Sequence, residues 1–111
     1  MSKPTVVCLC GSTRFKAEFE RAVWEESLAG NIVLTVACFP HSDPELSWVH
    51  DSELKPKLDV LHLRKIDLSD EILVLNVGQY TGYSTQREIV YAKCHGKRIR
   101  YLEPIEAAVK P

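Results

Sequence analysis

No apolar run in this 111-residue chain approaches the roughly 20 residues that a helix needs to cross a bilayer, so a membrane partner is not expected. An excess of one charge is missing too. Fourteen Lys and Arg against fifteen Asp and Glu leave a net charge of −1, with no basic surplus for gripping a phosphate backbone, and nucleic-acid binding is not expected. Met1-Ser2-Lys3-Pro4 runs straight into a β-branched stretch rather than the apolar core of a signal peptide, which predicts a cytoplasmic protein. The four cysteines, Cys8, Cys10, Cys38 and Cys94, suit neither a disulfide framework nor a zinc spacing. Cys8 and Cys10 share one expected strand, are read as pointing to opposite faces, and are taken with the others as free thiols; no metal and no organic cofactor is expected. Repeats, low-complexity tracts and linkers are absent from the sequence, so residues 1–111 are read as one domain, large enough for a single core.

With 45% hydrophobic and 26% charged residues the composition is that of a globular protein, and its pattern alternates between two kinds of segment. Thr5 to Cys10 is a short apolar run that predicts a strand covered on both faces, stopped by Gly11-Ser12-Thr13. From Arg14 to Leu28, Phe15, Phe19, Ala22 and Val23 recur at helical spacing, with Gly30 beyond the end. Ile32 to Phe39 predicts a second strand, and Pro40 to Ser52 is irregular, a possible lid carrying Trp48. Leu54, Leu58, Leu61 and Ile66 mark a second helix that tolerates Pro56 in its first turn. Ile72 to Val77 is a third buried strand, and Thr85-Gln86-Arg87-Glu88 reads as a capping box opening a third helix that Gly96 stops. Arg98 to Leu102 is a fourth strand before a polar tail.

The order βαβαβαβ predicts an α/β, flavodoxin-like, three-layer α/β/α domain with a parallel sheet of four strands in order 2-1-3-4. Its switch point lies between strands one and three, where the loop Gly11, Ser12, Thr13, Arg14 meets the loop from Gly82 to Glu88. The first loop offers backbone N–H groups at a helix start, two hydroxyls and a guanidinium, which suit an anionic or polyhydroxylated ligand. Glu88, near the positive end of a helix, is expected to keep its charge, the state a nucleophile needs. Asn76, Tyr80 and Tyr83 are further candidates for the pocket lining.

Cys10-Gly11-Ser12 closing strand one, Asp70 opening strand three, and Gly82-x-Ser84-Thr85-x-x-Glu88-Ile89-x-x-Ala92 with Gly96-Lys97 resemble the nucleoside 2-deoxyribosyltransferase superfamily, which includes the 2'-deoxynucleoside 5'-phosphate N-hydrolases. The resemblance runs from about Val6 to Leu102 and is greatest to that superfamily's small bacterial and phage branch. It implies a nucleoside or nucleotide as the small-molecule partner, a homo-oligomer, and chemistry without a cofactor. In that chemistry Glu88 attacks the anomeric carbon of a deoxyribosyl group, and the glycosyl-enzyme is resolved by water or by another base. Gly11, Ser12, Thr13, Arg14, Asp70, Asn76, Gly82, Ser84 and Thr85 are the expected substrate-binding residues. His62 stands where many members carry an aspartate, Cys8 where many carry a tyrosine, and Gly82 where they carry serine or aspartate. If it faces the crevice, the His62 imidazole is expected to donate to the leaving base near neutral pH.

Two other readings use the same residues. A non-catalytic nucleotide-sensing module would bind in this crevice without cleaving its ligand. Cys8-Leu9-Cys10-Gly11-Ser12-Thr13-Arg14 also matches C-x5-R, the phosphate loop of low-molecular-weight tyrosine phosphatases, in which a thiolate attacks phosphorus and the arginine holds the oxygens.

Overall fold

Runs that are apolar on both faces become the central strands. A computed structural model describes residues 3–105 of the chain; residues 1, 2 and 106–111, at the very start and in the polar tail of the expected 1–111 domain, lie outside the described residues. β1 (Val6–Cys10) and β3 (Glu71–Val74) pair in parallel, flanked by β2 (Ile32–Leu34) and β4 (Arg98–Tyr101) in the order β2-β1-β3-β4. Val7 sits opposite Glu71 and Cys10 opposite Val74, so the two central strands end level with each other.

Alternation along the strands divides the core into two layers. Val7, Leu9, Leu73 and Leu75 face α1 (Lys16–Leu28), which packs Phe19 and Ala22 onto them. Cys8, Cys10, Ile72 and Val74 face α2 (Leu54–Leu68) and α3 (Tyr83–Cys94), which bring Ile66 and Ala92. Burying a side chain such as Phe19 is worth roughly 1.5–3 kcal/mol, and Phe19 is 1% exposed. The chain is thus an α/β domain with a flavodoxin-like, three-layer arrangement. Among the described residues, no helix is long and apolar enough to cross a membrane.

The same alternation corrects the expected placement of the cysteines. Residues two apart on a strand share a face, and Cys8 and Cys10 both point toward α2 and α3.

Several element boundaries also differ from expectation. β3, expected over Ile72 to Val77, ends at Val74, and Val77 opens a short 3-10 turn, Val77–Gln79. β2 ends at Leu34 rather than Phe39, because it is an edge strand whose pairing with β1 stops at Cys8–Leu34. Residues beyond it leave the sheet; Val36 and Phe39 pack against the α1 core, and the Thr35 carbonyl accepts a hydrogen bond from Lys65 at 2.7 Å. The segment read as irregular holds a 3-10 helix, Pro44–Asp51, whose Asp43 cap accepts from the Glu45 N–H; it buries Val49 and leaves Trp48 exposed. Finally, α3 begins at Tyr83 with Gly82 as its N-cap, and no side chain caps it. Thr85 and Glu88 are therefore not a capping box: Thr85 is buried in the first turn and Glu88 lies one turn further in.

Gly11 is where β1 must pass close to β3. A Cβ there would lie 3.1 Å from Leu75 Cβ, 3.3 Å from its carbonyl oxygen and 3.4 Å from Phe19 Cζ. Gly11→Ala is expected to destabilise the fold by roughly 1–3 kcal/mol, the usual cost of overpacking. A urea midpoint unchanged from wild type would show that the loop yields freely.

Candidate active site

With strand order β2-β1-β3-β4, the chain leaves the C-terminal end of β1 toward one face of the sheet and that of β3 toward the other, which opens a crevice between them. A cavity of about 310 Å³ occupies it, within the size range of small-molecule sites. One wall is the loop from Gly11 to Arg14 and the stretch after β2; the other is the segment from Tyr80 into α3, with α2 between them.

Gly11, Ser12, Thr13, Arg14, His62, Gly82, Ser84, Thr85 and Glu88 all line this cavity, as do Tyr80 and Tyr83. Asp70 and Asn76 do not. Asp70 precedes β3, at the end of the sheet away from the crevice, where its carboxylate accepts the Val6 N–H at 2.8 Å. Asn76 follows β3 but turns toward the end of β4, donating to the Glu103 carbonyl and accepting the Glu103 N–H, both at 2.9 Å. Both are structural clamps.

Other lining residues were not anticipated. Lys55 and Asp59 lie on α2 ahead of the expected His62, at intervals of four and three residues, so the three form one polar stripe toward the cavity. Reading only the helix's apolar positions hid that stripe. Lys55 pairs with Asp59 at 2.7 Å and reaches the Ser84 hydroxyl at 3.5 Å. His41 bonds the Thr13 hydroxyl through Nδ1 at 2.8 Å and packs edge-on against His50, both lining the cavity. Burial, with the charges of His50 and Arg14, holds His41 below its ordinary pKa. The Arg14 guanidinium is set by the Ser12 hydroxyl at 3.0 Å and lies 4.6 Å over the Tyr80 ring. Hydroxyls and cations thus occur around the cavity, Ser12, Thr13 and Arg14 on one wall and Ser84 with Lys55 across from them.

His62 and Glu88 at the cavity floor, with Cys8 and Cys10 buried behind them, form a cluster of four ionisable side chains from three elements. His62 Nε2 is 3.5 Å from Cys8 Sγ, 3.6 Å from Cys10 Sγ and 4.0 Å from Glu88 Oε1. The side chains of His62 and Glu88 are only 7% and 13% exposed, enough to touch the cavity and too little to be solvated. Burial pushes the Glu88 carboxyl up from 4.5 to about 7; the His62 imidazole works against the rise and Cys8 adds to it. That reverses the expectation that a helix end would favour the charged form, because desolvation outweighs the dipole. Burial acts to lower His62, yet the hydrogen bond and charge of Cys8 and the charge of Glu88 prevail and raise it. Within the thiol pair, the hydrogen bond from Cys10 lowers Cys8, with His62 aiding and burial opposing, while the same bond and burial raise Cys10.

Compared with known proteins, the chain matches no family model, no curated protein and no solved structure. The site is therefore interpreted on its own geometry. A C-x5-R phosphate loop needs its thiol exposed at the base of the loop. Cys8 instead sits in mid-strand, paired with Leu34 and Ile72 and 0% exposed. The donor atoms of Cys8, Cys10 and His62, by contrast, all lie within 4.8 Å of one another, close enough to share a metal ion.

Proposed function

We infer that the chain cleaves, or transfers the sugar across, the N-glycosidic bond of a nucleoside or nucleotide, with Glu88 as the nucleophile. The observation that carries this reading is the placement of one nearly buried carboxylate, Glu88, at the floor of a cavity whose rim is hydroxyls and cations. A sugar seated between Ser12, Thr13 and Ser84 would present its anomeric carbon to that carboxylate. Arg14 and Lys55 suit a phosphate, and the Tyr80 and Tyr83 rings offer faces for a base.

In the first step a Glu88 oxygen bonds to the anomeric carbon as the bond to the base nitrogen breaks. In the second, water or an acceptor base attacks that carbon and the carboxylate is released. His62 acts on Glu88 in this scheme, rather than on the leaving base, because its Nε2 faces the carboxylate and the two thiols. When protonated, it favours the ionised carboxylate. A homo-oligomer accompanies this reading; Trp24 and Leu28 on α1 leave more than half of their surface exposed.

The test is incubation with a panel of ribo- and deoxyribonucleosides and their 5'-phosphates, with chromatography for free base. Release of base from at least one of them is the expected result. Binding by calorimetry with no release from any would sink the enzymatic reading and support the nucleotide-sensing module. The Glu88 pKa near 7, which leaves much of the carboxyl protonated at neutrality, favours that second reading.

A further inference from the structure

We propose that Cys8, Cys10 and His62 form a binding site for one thiophilic divalent cation of the zinc class, with its fourth coordination position turned toward Glu88 and the cavity. This inference does not rest on the N-glycosidic reading and is read without turnover, although it uses His62 and borders Glu88, which that reading also employs.

Hydrogen bonding does not require both sulfurs to meet at His62, since each also reaches a backbone carbonyl, Cys8 that of Leu9 at 3.9 Å and Cys10 that of Cys8 at 4.0 Å. A neutral imidazole nitrogen accepts a single proton, so one thiol donating to His62 Nε2 satisfies it. Here two sulfurs converge on that nitrogen, at 3.5 and 3.6 Å. A tetrahedral ion with bonds of about 2.3 Å to sulfur and about 2.0–2.1 Å to nitrogen would hold those atoms about 3.6 Å apart. Both separations meet that requirement. The sulfurs also lean together: residues two apart on a strand are separated by roughly 6.6 Å along the chain, yet the three donor atoms lie within 4.8 Å of one another.

The chemistry of the donors points the same way. Thiolate and imidazole select zinc-class ions over magnesium or calcium, which take oxygen ligands. Binding releases the two thiol protons to solvent, and two thiolates then neutralise one dication, which makes the charges tolerable in a site whose sulfurs are 0% exposed. Cys8 and Cys10 come from the central strand β1 and His62 from α2, so the frame is rigid. Three protein ligands and one open position are the pattern of catalytic rather than structural zinc sites. The open side faces Glu88, whose Oε1 lies 4.0 Å from His62 Nε2; that carboxylate either completes the coordination or holds the water that does.

The experiment is anaerobic titration of the reduced, chelator-treated chain with Co²⁺. One equivalent should produce thiolate-to-cobalt charge transfer and the intense visible bands of a tetrahedral ion, and Zn²⁺ should bleach them. Cys8→Ser and Cys10→Ser should each weaken binding by more than the roughly 10- to 100-fold that loss of an outer-sphere residue costs. The Cys38→Ser/Cys94→Ser double variant alters residues that do not belong to the cluster, although Cys38 lines the same cavity, and should keep the full spectrum. It serves as the deciding variant if the buried serines fail to fold. Bands lost in that double variant, a cobalt spectrum without charge transfer, or bands kept in a folded Cys8→Ser/Cys10→Ser protein would each overturn the proposal.

Discussion

Glu88→Gln is expected to lower base release by at least about 10³-fold, the scale seen when a nucleophile is removed, and at the same time to make the protein more stable above neutral pH. The first effect follows from the amide's inability to form the glycosyl ester. The second follows from burial, which raises Glu88 from 4.5 to about 7. A carboxyl whose pKa is raised on folding contributes its stability fully below the unfolded value and loses it as pH rises through the folded one. In chelator-treated wild type that loss spans about pH 4.5 to 7 and amounts to at most roughly 3 kcal/mol. Glutamine has the same shape and no charge to desolvate. Urea unfolding across pH 4 to 8 should therefore show the variant gaining on wild type as pH rises. Parallel stability curves would mean that Glu88 is solvated. Wild-type turnover retained in the variant would remove it from the chemistry.

The sheet was legible in the sequence because its two central strands are written in an unambiguous way. Cys8 to Cys10 and Ile72 to Val74 are apolar at consecutive positions, a pattern that only coverage on both faces explains. β2 carried the same signal too far, since Val36 and Phe39 are apolar for a different reason: they cover α1 after leaving the sheet. Sequence pattern does not show where an edge strand loses its partner. The glycines at 11 and 82 marked both cavity loops correctly: Gly11 is held by the close passage of Leu75, while Gly82 has an ordinary extended backbone and a Cβ there would meet only the Tyr80 side chain, its hydroxyl at 3.2 Å.

What escaped the sequence depended on three-dimensional convergence. The T-x-x-E spacing at Thr85 fits a capping box, but the N-cap is Gly82, three residues earlier, and Glu88 is turned into the core. Asp70 and Asn76 lie beside strand ends, one at the wrong end and one turned outward, a distinction that depends on strand direction and on the Glu103 backbone. The Cys8, Cys10 and His62 cluster joins residues more than fifty positions apart, so no metal-like spacing existed to be found. Half of it was still available, since strand alternation alone puts Cys8 and Cys10 on one face.

That convergence makes His62 the residue whose effect depends most strongly on pH. In the chelator-treated enzyme, base release should climb as pH rises through about 7, where Glu88 ionises. The His62 charge opposes the rise in the Glu88 pKa, while Cys8 and Asp59 add to it. His62→Gln removes the charge and keeps much of the volume, so the Glu88 carboxyl should titrate higher and the rising limb should move to higher pH. The first pH unit of that movement lowers the rate at pH 7 about fivefold, because Glu88 starts half-ionised there, and each further unit about tenfold, yet the plateau at high pH should be retained. An imidazole that protonated the leaving base would act differently: wild-type release would fall again at high pH as the imidazolium deprotonates, and its loss would lower the maximum and abolish that descending limb. A bell-shaped wild-type profile whose descending limb disappears in His62→Gln would therefore assign His62 to the leaving group. A moved limb with an intact plateau would identify it as the residue that positions the charge on Glu88.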